Sequence, residues 1–246
     1  MLIALIADLH ANELALRACL ARIAELGAEK IVCLGDIVGY AAGPEAVLDT
    51  VMALHAKGAI VVKGNHDNAI AETREDMNDA ARKAIDWTRA RLNEGQKDFL
   101  RNLPLTAEEE GRLYVHADAS APARWNYVGD AAAARLSLEA TSAGVAFCGH
   151  VHVPALYCLS PTGKIIAHVP VTDVEVPLGS HRKWLAVIGS VGQPRDHNPS
   201  ASFATYDTGA RLLTFRRAAY DVDEAAARIR RAGLPDISAV RLKVGR

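Results

Sequence analysis

The chain has 246 residues, half of them apolar, which is enough for one large α/β domain with a substantial buried core. Its 28 basic and 29 acidic residues give a formal net charge of -1, which offers no electrostatic reason to expect duplex DNA or another polyanion as an obligate partner. Any affinity for phosphate must therefore come from a local site.

The N-terminal segment predicts a strand rather than a targeting signal. It is apolar for only a few residues before Asp8, and it lacks a basic region and a small-residue cleavage pattern. No uninterrupted apolar run approaches the ~20 residues of a membrane-spanning helix. We therefore expect a cytoplasmic protein with no membrane partner. The cysteines form no C-x-x-C pair and are expected to be small buried thiols: Cys19, Cys33, Cys148 and Cys158.

The first half of the chain alternates short β-rich runs with amphipathic stretches. Strands are predicted at residues 2–7, 30–34 and 59–63, and helices at 13–26, 44–57 and 72–92. This rhythm is typical of βαβ units around a parallel sheet. Pro44 suits the first turn of a helix, and Gly27 and Gly58 suit the residues that follow one.

The second half reads mainly as strands separated by turns, at residues 113–116, 145–148, 155–159, 165–169, 184–189, 202–207 and 212–217. Hairpin turns are predicted at 161–163 and 207–209, where glycine tolerates positive φ. Helices are predicted at 131–140 and 222–232. Because there is no repeat, low-complexity tract or linker, we expect a single domain over residues 1–246.

Residues that commonly bind metals follow the predicted strands. Asp8 and His10 follow the first strand, Asp36 the second, and Asn65 and His66 the third. Ligands of open α/β sheets bind beyond the carboxyl ends of the strands, so these side chains should converge on one crevice. Three histidines repeat the placement in the second half: His116, His150 and His152. Strand-end capping is the alternative reading, and for His116 it is a bond to the backbone.

This mixture of residue types indicates the kind of ion. Carboxylate, amide oxygen and imidazole together suit Zn, Mn or Fe better than Ca or a thiolate-seeking metal. A carboxylate on a neighbouring strand can bridge two ions ~3.5–4 Å apart, and such a pair activates a water for in-line displacement at phosphorus. Asp36 is the candidate bridge. Among the single motifs, Gly64-Asn65-His66-Asp67 is the most specific, since D-x-H and H-x-H arise often by chance.

The chain resembles the calcineurin-like metallophosphoesterase superfamily, most of all its small single-domain bacterial and archaeal phosphodiesterase-like members. Five motifs in order carry the resemblance across most of the chain: Asp8-x-His10, Gly35-Asp36, Gly64-Asn65-His66-Asp67, His116 and Gly149-His150-Val151-His152. The resemblance implies a four-layer αββα sandwich of two mixed β-sheets flanked by helices. It also implies two ions bridged by Asp36, with ligands Asp8, His10 and His152 for the first and Asn65, His116 and His150 for the second.

The resemblance gives His66 a catalytic role facing the substrate rather than the metal, although it could instead only position Asn65. Two departures are visible. The sequence after Asp36 lacks the Asp-Arg pair of the protein serine/threonine phosphatases, which disfavours that activity. The segment after His116 reads Ala-Asp-Ala-Ser, where many small relatives have Gly and Ser, so His116 is the least secure ligand.

Three further residues are candidates for substrate binding. Arg195 lies in a late loop that looks like one of the small members, and its planar fork suits a phosphoryl group. Asn12 and Tyr40 each lie a few residues beyond a ligand motif, and turn capping and packing are the alternatives. Trp125 and Asn126, which follow His116, are better explained by packing than by a place in the pocket.

The predicted reaction is hydrolysis of a phosphomonoester or phosphodiester by a metal-bridging hydroxide, with Asn65 and the two ions (Mn, Fe or Zn) stabilising the charge that builds at phosphorus. His66 would protonate or stabilise the leaving oxygen. The alternative is a non-catalytic metal-binding scaffold of the same fold, whose usual signature is a degraded ligand set. The substrate class extends to any small-molecule or nucleotide phosphoester, because fold analogy cannot choose among them.

Overall fold

The computed structural model describes residues 1–72 and 77–246. Within these residues the strands are, in chain order, β1 (Leu2–Ile6), β2 (Lys30–Cys33), β3 (Ile60–Val61), β4 (Thr106–Glu109), β5 (Arg112–Val115), β6 (Val145–Cys148), β7 (Ala155–Leu159), β8 (Ile165–His168), β9 (Glu175–Pro177), β10 (Lys183–Val187), β11 (Ala201–Asp207) and β12 (Leu212–Ala218). The α-helices are α1 (Glu13–Glu25), α2 (Pro44–Ala56), α3 (Asn65–Ala71), α4 (Asp79–Arg91), α5 (Glu94–Asn102), α6 (Ala131–Glu139), α7 (Val222–Arg231) and α8 (Asp236–Val244).

The described strands form two mixed sheets of six strands each. The first has the order β3-β2-β1-β11-β12-β9 and the second the order β4-β5-β6-β10-β7-β8. In the first sheet β1, β2 and β3 run parallel and β11 pairs with β1 antiparallel. In the second, β5, β6 and β10 run parallel and β7 pairs with β10 antiparallel. Each sheet therefore contains three neighbouring parallel strands whose carboxyl ends meet at one edge.

The strand alternation in β1 shows how the layers pack. Ile3 and Leu5 point into an apolar cluster that also contains residues of the second sheet, such as Phe147. Ala4 and Ile6 point the other way, into a cluster with residues of α1 and α2. Successive side chains of a strand point to opposite faces, so this strand is buried on both sides.

The second sheet is covered on its outer face by α6. Leu138 and Ala134 of that helix belong to one apolar cluster with Leu185 and Val187 of β10. Together with the helices on the first sheet, this arrangement gives four layers and confirms the αββα sandwich that the sequence predicted. None of the helices in the described residues is both long and apolar enough to cross a lipid bilayer.

The hairpins predicted at residues 161–163 and 207–209 are confirmed, because they join the antiparallel pairs β7–β8 and β11–β12. The helix predicted at 72–92 is observed as Asp79–Arg91, and residues 73–76 of that prediction lie outside the described residues. The strand predicted at 59–63 is shorter, Ile60–Val61, because the chain turns into α3 at Gly64. Five elements were not predicted: α3, α5, α8, β4 and β9.

Candidate metal centre and cleft

Two groups of buried ligand-type side chains lie at the carboxyl ends of the central strands. In each group one possible ligand atom from every residue lies within 4.8 Å of the others. The first group follows β1, β2 and β6, and the second follows β2, β5 and β6. Their members are Asp8, His10, Asp36 and His152 for the first group, and Asp36, His116 and His150 for the second. The Oδ1 atom of Asn65 lies 3.3 Å from His116 Nε2 and adds an amide oxygen to the second group.

Asp36 is common to both groups. Its Oδ2 lies 3.7 Å from His10 Nε2 in the first group and 3.5 Å from His116 Nε2 in the second. Its other oxygen, Oδ1, accepts the backbone N–H of His66 at 2.8 Å. One oxygen is thus fixed by the backbone while the other faces both groups.

The backbone around these ligands is strained in a consistent way. Five of the ligand-type residues adopt left-handed φ values: Asp8 (53°), His10 (46°), Asp36 (52°), His150 (65°) and His152 (64°). For residues other than glycine this conformation is uncommon and costs of order 1–3 kcal/mol each. It lets the chain leave regular pleating at the strand end, so that residues two apart reach the same point.

Two glycines of the motifs allow the backbone to approach the carboxylates. A Cβ at Gly64 would collide with Asp36 Oδ1, and a Cβ at Gly149 would lie 2.5 Å from Asp8 Oδ2. The close approach at Gly149 brings the His150 N–H within 3.0 Å of Asp8 Oδ2. Glycine is therefore needed at these positions of the G-N-H-D and G-H-V-H motifs because a side chain would clash with a carboxylate, and not because the backbone there has to be flexible.

Backbone carbonyls orient three of the histidines. The Nδ1 atoms of His10, His116 and His152 lie 3.2, 2.7 and 2.6 Å from the carbonyls of Val38, Leu34 and Gln193. A carbonyl only accepts, so these nitrogens carry protons and each ring turns its Nε2 to the cluster. Such outer hydrogen bonds are the usual way in which proteins fix the tautomer of a metal-binding histidine.

His150 is held the other way round. Its Nε2 lies 2.9 Å from the carbonyl of Trp125, so its Nδ1 faces the cluster and lies 3.1 Å from His116 Nε2. Trp125 itself has a left-handed φ of 54°. The orientation of the His150 ring therefore depends on the loop after β5 as well as on its own strand.

The donor atoms fit a bound cation. His10 Nε2 and His152 Nε2 lie 3.1 Å apart although each ring donates its Nδ1 proton to a carbonyl. Two neutral imidazoles of that tautomer point lone pairs at each other, an arrangement that a cation between the nitrogens and the Asp8 carboxylate would stabilise. Nitrogen and carboxylate donors without thiolate match Zn, Mn or Fe.

Electrostatics at the centre favours added positive charge. Burial lowers the pKa of His116, but the Asp36 carboxylate outweighs burial and raises that pKa to about 9. Burial alone would raise the pKa of Asp36, yet the His116 and His66 imidazoles hold it well below its ordinary value. Burial lowers the pKa of His150 to about 3. The carboxylate thus stays ionised and attracts a proton or another cation.

His66 lines the cleft without belonging to either ligand group. Its ring packs against those of His10 and Tyr40, with centroids 4.8 and 4.6 Å away. Among the described residues its buried Nδ1 has no hydrogen-bond partner, and it lies so close to Gly39 that a Cβ there would collide with it. Burial lowers the pKa of His66 to about 4.

A polar cleft of about 390 Å³ opens beside the centre. The predicted substrate residues Arg195 and Tyr40 line it, and the guanidinium lies 6.0 Å from the Tyr40 ring centroid. Among the residues that the structure describes, the other lining residues are Asp36, Asn65, His66, Met77, Asn78, Ala81, Tyr127, His150 and His152.

Asn12 does not line this cleft. Its side chain caps α1 by accepting the Ala15 N–H at 3.2 Å, and its amide donates to the Gly192 carbonyl and the Tyr220 hydroxyl. The structure therefore gives Asn12 the capping role that was the alternative to substrate binding.

Two residues that shape the site were given no role from the sequence. Asp67 accepts the N–H groups of Ile37 and Gly64 and so joins two ligand loops. Gln193 contacts His152 through its carbonyl, and its side-chain Oε1 accepts from Arg195 at 2.9 Å. Asp67 is part of the Gly64-Asn65-His66-Asp67 motif, but only the folded chain shows which groups its carboxylate and the Gln193 carbonyl contact.

The model of the calcineurin-like phosphoesterase superfamily domain matches residues 1–211. Residues 212–246 form β12, α7 and α8, and since β12 pairs with β11 along its whole length, one domain over residues 1–246 stays our prediction. The chain is 33% identical over 256 residues to the uncharacterized protein MJ0912 of Methanocaldococcus jannaschii, with 100% of this chain and 98% of the relative covered.

Two solved structures are similar over essentially their whole length. A metallophosphoesterase from Sphaerobacter thermophilus has a TM-score of 0.87 and 33% identity, with 100% of both chains covered. The hypothetical protein PH1004 from Pyrococcus horikoshii OT3 has a TM-score of 0.79 and 21% identity, with 100% of this chain and 98% of that chain covered. The second likeness concerns the fold alone.

Proposed function

Because this chain belongs to the calcineurin-like phosphoesterase superfamily, we propose that it hydrolyses phosphoesters at a centre of two metal ions, with phosphodiesters preferred. The observation that carries the proposal is the position of Asp36 Oδ2, which lies within 3.7 Å of a histidine Nε2 atom from each ligand group. One carboxylate oxygen between two sets of donors is the arrangement that a bridging ligand requires.

The first ion would be held by Asp8, His10 and His152, and the second by Asn65, His116 and His150, with Asp36 shared between them. When bound, such a pair lowers the pKa of a water and offsets the negative charge of an in-line displacement at phosphorus. Zn, Mn or Fe fits the donor set.

The chain's own residues would then bind and orient the substrate. Arg195 lines the cleft and can donate to a phosphoryl oxygen through its planar fork. Asn65 is a cleft residue with one amide oxygen near His116, which leaves its N–H₂ group as a donor. The Tyr40 ring packs against the rings of both His10 and His66 and supports them.

His66 would stabilise the leaving oxygen. Its ring lies in the cleft next to a ligand, yet its side chain is outside both ligand groups. Since burial keeps the imidazole neutral, an N–H of the ring is available as a hydrogen-bond donor to charge that develops in the transition state.

The preference for diesters follows from the fixed charges of the described cleft. Apart from the histidines, Arg195 is the one basic side chain among its described lining residues. A monoester carries a second negative charge, and a site built for it would be expected to supply more fixed cations beside the metals. A single arginine fits a monoanionic diester.

Hydrolysis of matched aryl phosphodiesters and phosphomonoesters, before and after chelation and with Mn added back, tests the proposal. We expect activity that returns with metal and a higher kcat/KM for the diester. Arg195→Ala should raise KM, and Arg195→Lys, which keeps the charge but not the fork, should recover part of the loss. Metal binding without turnover of any ester would indicate the scaffold alternative. A monoester preference that disappears in Arg195→Ala would overturn the diester assignment.

A further inference from the structure

Tyr127 is an exposed aromatic residue at the edge of the metal centre. It is 59% exposed and lines the cleft. Its ring stacks on that of His150, with centroids 4.1 Å apart and an angle of 17° between the planes. An aromatic side chain that is both exposed and stacked in parallel on a ligand-type histidine has one covered face and one face available for binding.

The loop that carries Tyr127 is anchored on both sides of it. The preceding Asn126 donates its side-chain N–H to Asp118 Oδ2 at 2.8 Å, and Asp118 is almost fully buried. The following Val128 is buried in the core. The Trp125 carbonyl bonds to His150, so the loop and the histidine hold each other. A side chain presented on such a loop loses little further conformational entropy on binding a ligand.

Among its described lining residues the same cleft has two apolar ones, Met77 just before α4 and Ala81 in the first turn of that helix. Its remaining described lining residues are polar, charged or aromatic, and Asn78 already uses its side-chain oxygen to cap α4. A thioether is a favourable neighbour for an aromatic ring. Tyr127 and Met77 are therefore two lining residues of an otherwise polar cleft that a flat, weakly polar group could contact.

We propose that Tyr127 is a stacking platform for a planar aromatic ring on the substrate, which makes a nucleotide ester the fitting substrate class. The inference rests on the proposed function, because a phosphoryl group at the metal centre is what would bring an attached ring to Tyr127. Stacking tolerates different bases, since every base has a π face, so we expect little choice among the four bases.

Binding is the direct test. Calorimetric titrations of the Mn-loaded protein would compare AMP with methyl ribofuranoside 5-phosphate, which lacks only the base. Stacking of a base on an aromatic residue is worth about 1–3 kcal/mol, so we expect AMP to bind about 5- to 160-fold more tightly. That ratio should fall to about one in Tyr127→Ala and persist in Tyr127→Phe. Phenyl phosphate against methyl phosphate tests whether a small aryl ring is recognised equally well.

Two controls separate stacking from damage to the centre. Tyr127→Ala should keep the same metal content as the wild type by elemental analysis, and the affinity for the base-free phosphate should change less than about twofold. Leu136→Ala removes a similarly exposed side chain on α6, outside the described cleft, and should leave the AMP ratio unchanged.

Equal affinities of the two ligands for the wild type would overturn the inference, and so would a ratio that survives in metal-loaded Tyr127→Ala. These results differ from a failure of the proposed function. If aryl diesters are hydrolysed with metal while the AMP ratio is one, only the role of Tyr127 is wrong. If no ester is hydrolysed under any metal condition, the catalytic proposal fails, whatever the binding ratio.

Discussion

The two ligand groups of the centre are built differently. In the first, Asp8 and His10 follow β1 directly and are fully buried, and His152 is held by the Gln193 carbonyl of the loop after β10. In the second, Asn65 is part-buried, and His150 is held by the Trp125 carbonyl of the loop after β5. The second group therefore contributes Asn65 and His150 to the lining of the cleft, whereas in the first group Asp8 and His10 are enclosed by the core and His152 lines the cleft.

This difference in burial suggests different tasks: buried side chains fix the geometry of the centre, and side chains at the cleft are accessible to a substrate. Enclosed ligands keep their geometry because the surrounding core over-determines it, and they leave little room for a substrate. Ligands beside a cleft can be approached, but their orientation depends on loop contacts. We expect the first ion to respond little to changes at the cleft and the second to respond to changes in the loop that contains Trp125.

Asp36 belongs to both ligand groups, so its substitution should affect both ions rather than one of them. Asp36→Asn keeps the shape but loses the charge that both groups share. We expect both metal affinities to fall and kcat/KM to drop by about 10³-fold or more, since the charge stabilisation at phosphorus depends on both ions. Elemental analysis and metal titration alongside kinetics would measure this. Unchanged turnover in the variant would refute the two-metal mechanism.

His66 should separate catalysis from metal binding. His66→Ala removes a cleft imidazole that belongs to neither ligand group, so both ions should remain while kcat falls by about 10²–10⁴-fold. Gly39→Ala is a matched perturbation, because its Cβ would displace the same ring. Its left-handed φ of 97° adds strain, so stability must be measured with it. A His66→Ala protein that loses its metals would instead make His66 a ligand.

Asp118→Asn and Ser190→Ala should act on opposite groups. Asp118 organises the loop that carries the Trp125 carbonyl. The Ser190 hydroxyl donates to the Asp8 carbonyl at 2.9 Å and accepts the Gln193 N–H at 2.8 Å. We expect each variant to lower the affinity for one ion about 10- to 100-fold and to leave the affinity for the other unchanged. Loss of a hydrogen bond that orients a metal ligand usually has an effect of this size.

The readout for this pair is a two-step metal titration by calorimetry, with the wild type showing both steps. Asp118→Asn should lower the affinity of the second group and Ser190→Ala that of the first. If either variant weakens both ions equally, the two groups are not independent and the comparison between them fails.

Substitution of Gln193 should have the smallest effect on activity, and it distinguishes the role of the side chain from that of the backbone carbonyl. Gln193→Ala keeps the backbone carbonyl that holds His152 but removes the side-chain acceptor of Arg195. The loss of one such hydrogen bond is worth about 0.5–1.5 kcal/mol, so KM should rise about 2- to 13-fold with metal content unchanged. Gln193→Glu keeps an acceptor for Arg195 and serves as the control. A fall in metal content would show that the side chain, and not the carbonyl, supports His152.

Much of the fold could be predicted from the sequence because the local residue patterns favour the same helices and strands that tertiary packing stabilises. The βαβ rhythm of the first half, the glycine turns of the hairpins and the apolar strands of the second half predicted most elements within a few residues. The missed elements lacked such agreement. Strand β4 is Thr-Ala-Glu-Glu and partly exposed, β9 has three residues, and α3 begins inside the ligand motif itself.

The sequence by itself determined the seven ligand-type residues, because strand ends are marked by apolar runs and carboxyl ends of parallel strands meet at one edge. Only the tertiary structure decided which nitrogen of each histidine faces the centre, that Asn12 caps a helix, and that Tyr127 stands at the cleft. Those outcomes depend on backbone carbonyls and loop contacts between residues far apart in the chain. Such contacts leave no periodicity or spacing in the sequence, since every residue offers the same carbonyl and folding alone decides which one a side chain meets.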